Sequence, residues 1–221
     1  MFILKSDRYV CQWGVRYDIT VVMPRASAEA KNETRQRLLL AAGQGFRTHG
    51  YGGVGVDGVA KDAGVTSGAF YAHFGSKAAI FREALAEGLR QLRDGIGIFR
   101  RRHGPHWLRR FATWYLSAER RANLAGSCAL PTLSLEAARA DDATRHAYDE
   151  HLRAVLKELQ AGLGGTRRED HALAILALLC GGMSMAHAVH DPRLGARIAH
   201  AVIDAITTLG ERPHSTKENR I

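Results

Sequence analysis

Apolar residues recur at helical spacing from Asn32 onward. Leu38 or Leu39, Ala42 and Phe46 form the stripe of a first helix that Asn32 can cap and that closes before His49-Gly50. Val56, Val59, Ala60 and Ala63 stand at i, i+3, i+4 and i+7, which predicts a second helix from about Gly55 to Ala63. A third runs from Ser67 to about Phe74, with Phe70 and Phe74 one turn apart. Ser76 caps a fourth, whose Ile80, Phe81, Ala84 and Leu85 face inward. Three such helices bury one small core between Phe46, Val59, Phe70 and Phe74.

Gly95, Gly97, Gly104 and Pro105 interrupt the pattern and predict a boundary near residues 85 to 105. Helices follow at about 106 to 124, from Thr132 to Arg139, and from Asp142 with the stripe Tyr148, Leu152, Val155 and Leu159. Another spans about 168 to 189. Pro192 opens the last, which carries Leu194, Ile198, Val202, Ile206 and Leu209. The expected fold class is therefore all-α. Residues 172 to 189 are apolar, but their small residues, Ser184, His187 and charged flanks fit a buried helix better than a membrane span. Residues 1 to 24 differ. Val10, Cys11, Trp13, Val15, Tyr17, Ile19, Val21 and Val22 alternate loosely like a strand, and Met23-Pro24-Arg25 reads as an ordinary protein start. The expectation is a leader that is untranslated or poorly ordered, and at the other end a polar tail over 213–221.

Charge narrows the partners. The 221 residues hold 31 Lys and Arg against 22 Asp and Glu, a net charge of +9 that suits a phosphate-rich partner. Cys11, Cys128 and Cys180 are too few and too far apart for a disulfide framework or a zinc finger, so a reducing cytoplasm is expected. No G-x-S-x-G, phosphate loop or H-E-x-x-H occurs, and the histidines are scattered. The chain is not read as an enzyme, and no catalytic residue, cofactor or metal is expected. Cys180, Met183, Met185 and His187 spread around their helix and read as packing rather than a soft metal site.

The stretch Gly64-Val65-Thr66-Ser67-Gly68-Ala69-Phe70-Tyr71-Ala72-His73-Phe74-Gly75-Ser76-Lys77 is the most informative. Two short helices joined by a glycine-containing turn make a helix-turn-helix, here over about 55–74, whose second helix enters the DNA major groove. Thr66 can cap that helix and reach a phosphate. Ser67, Gly68 and Ala69 occupy the first turn, nearest the base edges. The Ser67 hydroxyl can donate to or accept from a base, and the Ala69 methyl can touch a thymine methyl. Tyr71, His73 and Lys77 suit phosphate contact. Arg25, Lys31, Arg35 and Arg37 are auxiliary phosphate candidates leading into the first helix. Arg100, Arg101, Arg102, Arg109 and Arg110 read as a solvated face.

Over residues 33 to 85 the chain resembles the TetR/AcrR family of bacterial transcriptional regulators. The matching residues are Ala41-Ala42, Phe46, Gly50-Tyr51, Val56, Val59-Ala60, Ala63-Gly64-Val65, Gly68, Phe70-Tyr71, His73-Phe74, Ser76-Lys77 and Ile80-Phe81. Gly55 stands where the family usually places a Ser or Thr, so any phosphate contact there comes from backbone N–H. The resemblance implies a DNA-binding domain over 25–90 and a helical ligand-binding and dimerisation domain over 91–212. It implies a cytoplasmic, nucleoid-associated homodimeric repressor that a small effector releases from double-stranded operator DNA. Phe111, Trp114, Tyr115, Cys128, Leu133, Tyr148 and His187 are the candidate pocket lining. Gly181-Gly182 favours a dimer contact through the last two helices. Redox or electrophile sensing through Cys128 stays open as an alternative, as does an activator or architectural protein without ligand control.

Overall fold

The computed structural model of the protein describes residues 26–165 and 167–211. The strand-like leader, the Met23 start, Arg25 and the polar tail lie outside the described residues. Among the described residues all regular structure is helical: α1 (Ala26–His49), α2 (Val56–Asp62), α3 (Ser67–Phe74), α4 (Lys77–His103), α5 (Trp107–Tyr115), α6 (Ala118–Ala122), α7 (Ala129–Arg139), α8 (Asp142–Gln160), α9 (Arg168–Ala188) and α10 (Pro192–Glu211). A 3-10 turn, Gly104–His106, joins α4 to α5.

Asn32 does not cap α1. The helix is already running at Ala26, because the Ala, Glu and Lys of residues 26 to 31 are strong helix formers, and Asn32 lies exposed within it. The later caps are real. Thr66, Ser76 and Asp141 each accept the backbone N–H three residues on, at the starts of α3, α4 and α8. Gly64 ends α2 with φ of 66°; its N–H bonds Lys61 O, and the Val65 N–H bonds Ala60 O. That pair of bonds closes the helix around a left-handed residue, which glycine adopts without strain.

The expected boundary near 85 to 105 falls inside a helix. α4 runs unbroken to His103 and ends only at Gly104. Of its inner glycines, Gly88 is required by a neighbour: a Cβ there would lie 2.4 Å from the Ala129 Cβ of α7. The expected 106–124 helix is also divided, with extended backbone at Ser117 between α5 and α6. α7 starts three residues before Thr132, with Pro131 in its first turn, where no N–H partner is lost.

Two cores result, and α4 contributes to both. The head core holds Leu38, Phe46, Val59, Phe70, Phe74, Ile80, Phe81 and Leu85, closed by Ala129, Leu133 and Ala137 of α7. The body core gathers Leu89, Leu92 and Ile96 of α4 with Phe111, Tyr115, Val155, Leu159, Ile175, Leu179, Met183, Ile203 and Ile206. α9 has the length and apolar composition to cross a membrane, yet Ala172, Ile175, Leu176, Leu179, Gly182, Met183 and Ala186 are buried within this protein.

Gly88→Ala is expected to lower stability by about 1–3 kcal/mol, since two backbones must separate. Gly58→Ala, where the added methyl meets nothing within 4 Å, is expected to raise it by up to about 1 kcal/mol. Thermal unfolding of the two variants side by side checks both signs.

Candidate nucleic-acid interface

α3 is held by its apolar edge. Phe70 is 0% exposed and Phe74 7% exposed, and their rings tilt against one another at 6.1 Å in the head core. The opposite edge, with Gly68, Tyr71 and Ala72, faces solvent, Tyr71 at 55% exposure. A helix this short keeps its rotation only through such anchoring.

The remaining candidates gather around that edge. Thr66 Oγ1 accepts the Ala69 N–H at 3.2 Å, so its own proton is free for a phosphate. Gly55 caps α2 in extended backbone without a side-chain bond, and a Cβ there would meet open space. Ala69 and His73 are half-buried. The Lys77 ammonium lies 4.4 Å from the centre of the Tyr51 ring, which holds it at the start of α4. Ser67 is engaged: its hydroxyl donates to Asp57 Oδ1 of α2 at 2.5 Å.

The auxiliary cations divide. Lys31 is exposed. Arg35 is tied to Glu83 of α4 and lies over the Phe74 ring at 4.9 Å, so it braces α1 against α4. Arg37 is half-buried beside Thr34 and the Gly64 turn. Of the basic cluster, Arg101, Arg102, Arg109 and Arg110 are exposed, whereas Arg100 bonds Glu158 at 2.8 Å.

The candidate pocket residues are packed rather than open. Phe111, Tyr115 and Cys128 are fully enclosed in the body core, and Leu133 belongs to the head core. Trp114 lies under the Arg120 guanidinium at 4.1 Å, and the Tyr148 hydroxyl pairs with Ser134 Oγ at 2.9 Å. A cleft of about 330 Å³ opens elsewhere, between Arg100, His106, Trp107, Arg109, Gly162 and Gly210, and none of the seven lines it. The Tyr115 hydroxyl is buried facing the Cys128 thiol without a well-aligned partner. Burial pushes the Cys128 thiol up, against the pull of the Tyr115 hydroxyl, the Leu130 N–H and nearby arginines, and pushes Cys180 to about 11. Both are thiols rather than thiolates at neutral pH.

Sequence spacing gave no sign of a second set of residues, which ties head to body through α7 and the segment leading into it. Arg47 Nε donates to Ala125 O at 2.7 Å, and the Tyr51 N–H donates to Glu136 Oε1 at 3.2 Å. On the other side, buried Ser127 pairs with His187 Nε2 at 2.9 Å, and Ser184 donates to Pro131 O at 3.2 Å. The partners stand 53 to 85 residues apart in the chain, beyond the reach of periodicity.

A helix-turn-helix head with an exposed outer edge is fused through one long helix to a helical body. Comparison with known proteins shows what this arrangement is similar to. Residues 38–84 match the model of bacterial regulatory proteins of the tetR family. Over 64 residues the chain is 41% identical to the HTH-type transcriptional regulator SrpR of Pseudomonas putida, covering 29% of this chain and 30% of that one. The uncharacterized HTH-type transcriptional regulator TtgW, also of Pseudomonas putida, gives 41% over 64 residues, 29% of this chain and 48% of that one. The match thus spans less than half the length of these curated relatives. A TetR-family transcriptional regulator from Cytophaga hutchinsonii superposes with a TM-score of 0.70 at 18% identity, over 83% of this chain and 98% of that one. The chain carries the TetR-type DNA-binding domain, and its described length has the TetR-family fold.

Two outcomes are expected. Lys77→Ala weakens binding to every duplex alike and lowers the slope of log affinity against log salt by about 1, measured by titration at several salt concentrations. Partial burial holds the His187 imidazole below its ordinary value of 6.5. The unfolded chain therefore takes up that proton first, and the stability of the neutral ring is lost as pH falls below about 6.5. His187→Gln should flatten the decline in unfolding free energy between about pH 7 and 5.

Proposed function

We propose that this protein is a homodimeric, sequence-specific transcriptional regulator that represses by occupying operator DNA and is released by a small ligand. The observation that carries the DNA-binding reading is the two-sided α3. Its phenylalanines are committed to the core, and its polar edge, flanked by the free protons of Thr66 and Ser76 and by Lys77, is exposed beside it. Two heads related by a two-fold axis address successive major grooves of a near-palindromic site. The reading is of a binding protein working in the bacterial cytoplasm.

Dimerisation is supported by α9 and α10. Leu173, Ala177, Gly181 and Met185 stand four residues apart on the exposed face of α9, with Leu173 48% and Met185 58% exposed. Leu194, Ala201 and Ala205 are exposed on α10, which packs against α9. The small residues let a second copy approach closely, and a four-helix contact covers what water otherwise meets.

Ligand response is supported by α7. Its inner face is buried in the head core while its first turn and the residues just before it are bonded to α9, so a ligand that displaces it shifts the heads. Sensing through Cys128 is disfavoured by its burial and its protonated thiol.

Selection from random duplexes at near-physiological salt is expected to enrich a two-fold-related sequence. Met185→Arg is expected to sediment as a monomer and to lose at least about tenfold affinity for the full site while retaining its half-site affinity. Absence of any enriched sequence would overturn the regulator reading.

A further inference from the structure

Three Ser and Thr hydroxyls lie around the exposed edge of α3, and their neighbours decide what each has left to offer. Thr66 Oγ1 accepts the Ala69 N–H at 3.2 Å, and Ser76 Oγ accepts the Ala79 N–H at 3.1 Å. Each keeps a proton to donate, which a phosphate oxygen accepts. Ser67 is the reverse. Its Oγ lies 2.5 Å from Asp57 Oδ1, and an ionised carboxylate carries no proton, so the shared one belongs to Ser67.

Ser67 therefore shows the groove lone pairs only, with the second Asp57 oxygen, another acceptor, beside them. DNA backbone oxygens are themselves acceptors, so this pair has nothing to give a phosphate. The donors in the major groove are the N6 amino group of adenine and the N4 amino group of cytosine, while guanine O6 and thymine O4 are acceptors. Placement agrees. Ser67 opens α3, the end of a recognition helix nearest the base edges, and Asp57 is exposed in the first turn of α2. Asp57 has no ion pair among the described residues, and the positions of Gly55 and Gly58 on either side of it open onto empty space.

We propose that Asp57 and Ser67 form one acceptor patch that reads the amino group of adenine or cytosine in the strand facing Ser67, with Asp57 setting that preference by holding the Ser67 proton. The inference rests on the DNA-binding reading above. It makes a carboxylate, which lowers overall affinity for a polyanion, the determinant of sequence at one position in each half-site.

The test is binding-site selection with the full-length protein, Ser67→Ala and Asp57→Ala, followed by titration of single-base variants of the enriched duplex. The expected result is a position in each half-site where the unaltered protein favours A or C over G or T by about fivefold or more. Ser67→Ala should flatten that position and no other. Asp57→Ala should flatten the same position, because the freed hydroxyl can then donate to keto oxygens, while overall affinity rises. A bond that only braced α2 against α3 would lower the unfolding temperature of both variants and leave the base ratio unchanged. An unchanged ratio overturns the proposal, as does a preference for G or T at the position that Ser67→Ala flattens. Enrichment of a two-fold site with that outcome leaves the regulator reading standing; no enrichment by the unaltered protein overturns both.

Discussion

One helix belongs to two cores. α4 is 27 residues long, about 40 Å of continuous hydrogen-bonded backbone. Ile80, Phe81 and Leu85 at one end complete the head, and Leu89, Leu92 and Ile96 at the other complete the body. A rigid rod packed at both ends cannot let the head rotate without disturbing the body. One glycine along it answers to this demand. Gly88 removes the side chain that would keep α7 away, so α7 lies against the rod at the point where the two cores meet.

Beside the rod, α7 is bonded to both head and body. α7 seals the head core with Ala129, Leu133 and Ala137, and the head grips it and its leading segment through Arg47 and Tyr51. From the body side the same stretch is held by hydrogen bonds to Ser184 and His187. Each bond is modest in water, on the order of 1 kcal/mol, but buried polar partners are costly to separate.

Around the exposed edge of α3, side chains with similar chemistry are given different partners by their surroundings. Lys77 is pre-positioned by an aromatic ring, whereas Arg35 is committed to Glu83 and to packing. Capping leaves two hydroxyls as donors, and a carboxylate leaves the third as an acceptor. Composition and net charge see only a basic protein.

Much of this was legible in the chain. The periodicity of Val56 to Ala63, the Gly64 turn, the Phe70–Phe74 pair and the Ser76 cap specify the helix-turn-helix, because each is settled by residues within a turn or two. The same local logic misjudged Asn32, a good capping residue overridden by the helix formers before it, and Gly95 and Gly97, which read as breaks but lie inside α4. A glycine inside a long helix looks no different, in sequence, from one that ends a helix. The sequence by itself determined which segments are helices, which edge of α3 is apolar and that the chain is basic, since those follow from spacing and composition. Only the tertiary structure decided which cation is free, which hydroxyl keeps its proton and which helix links head to body, because each depends on a partner brought close by packing.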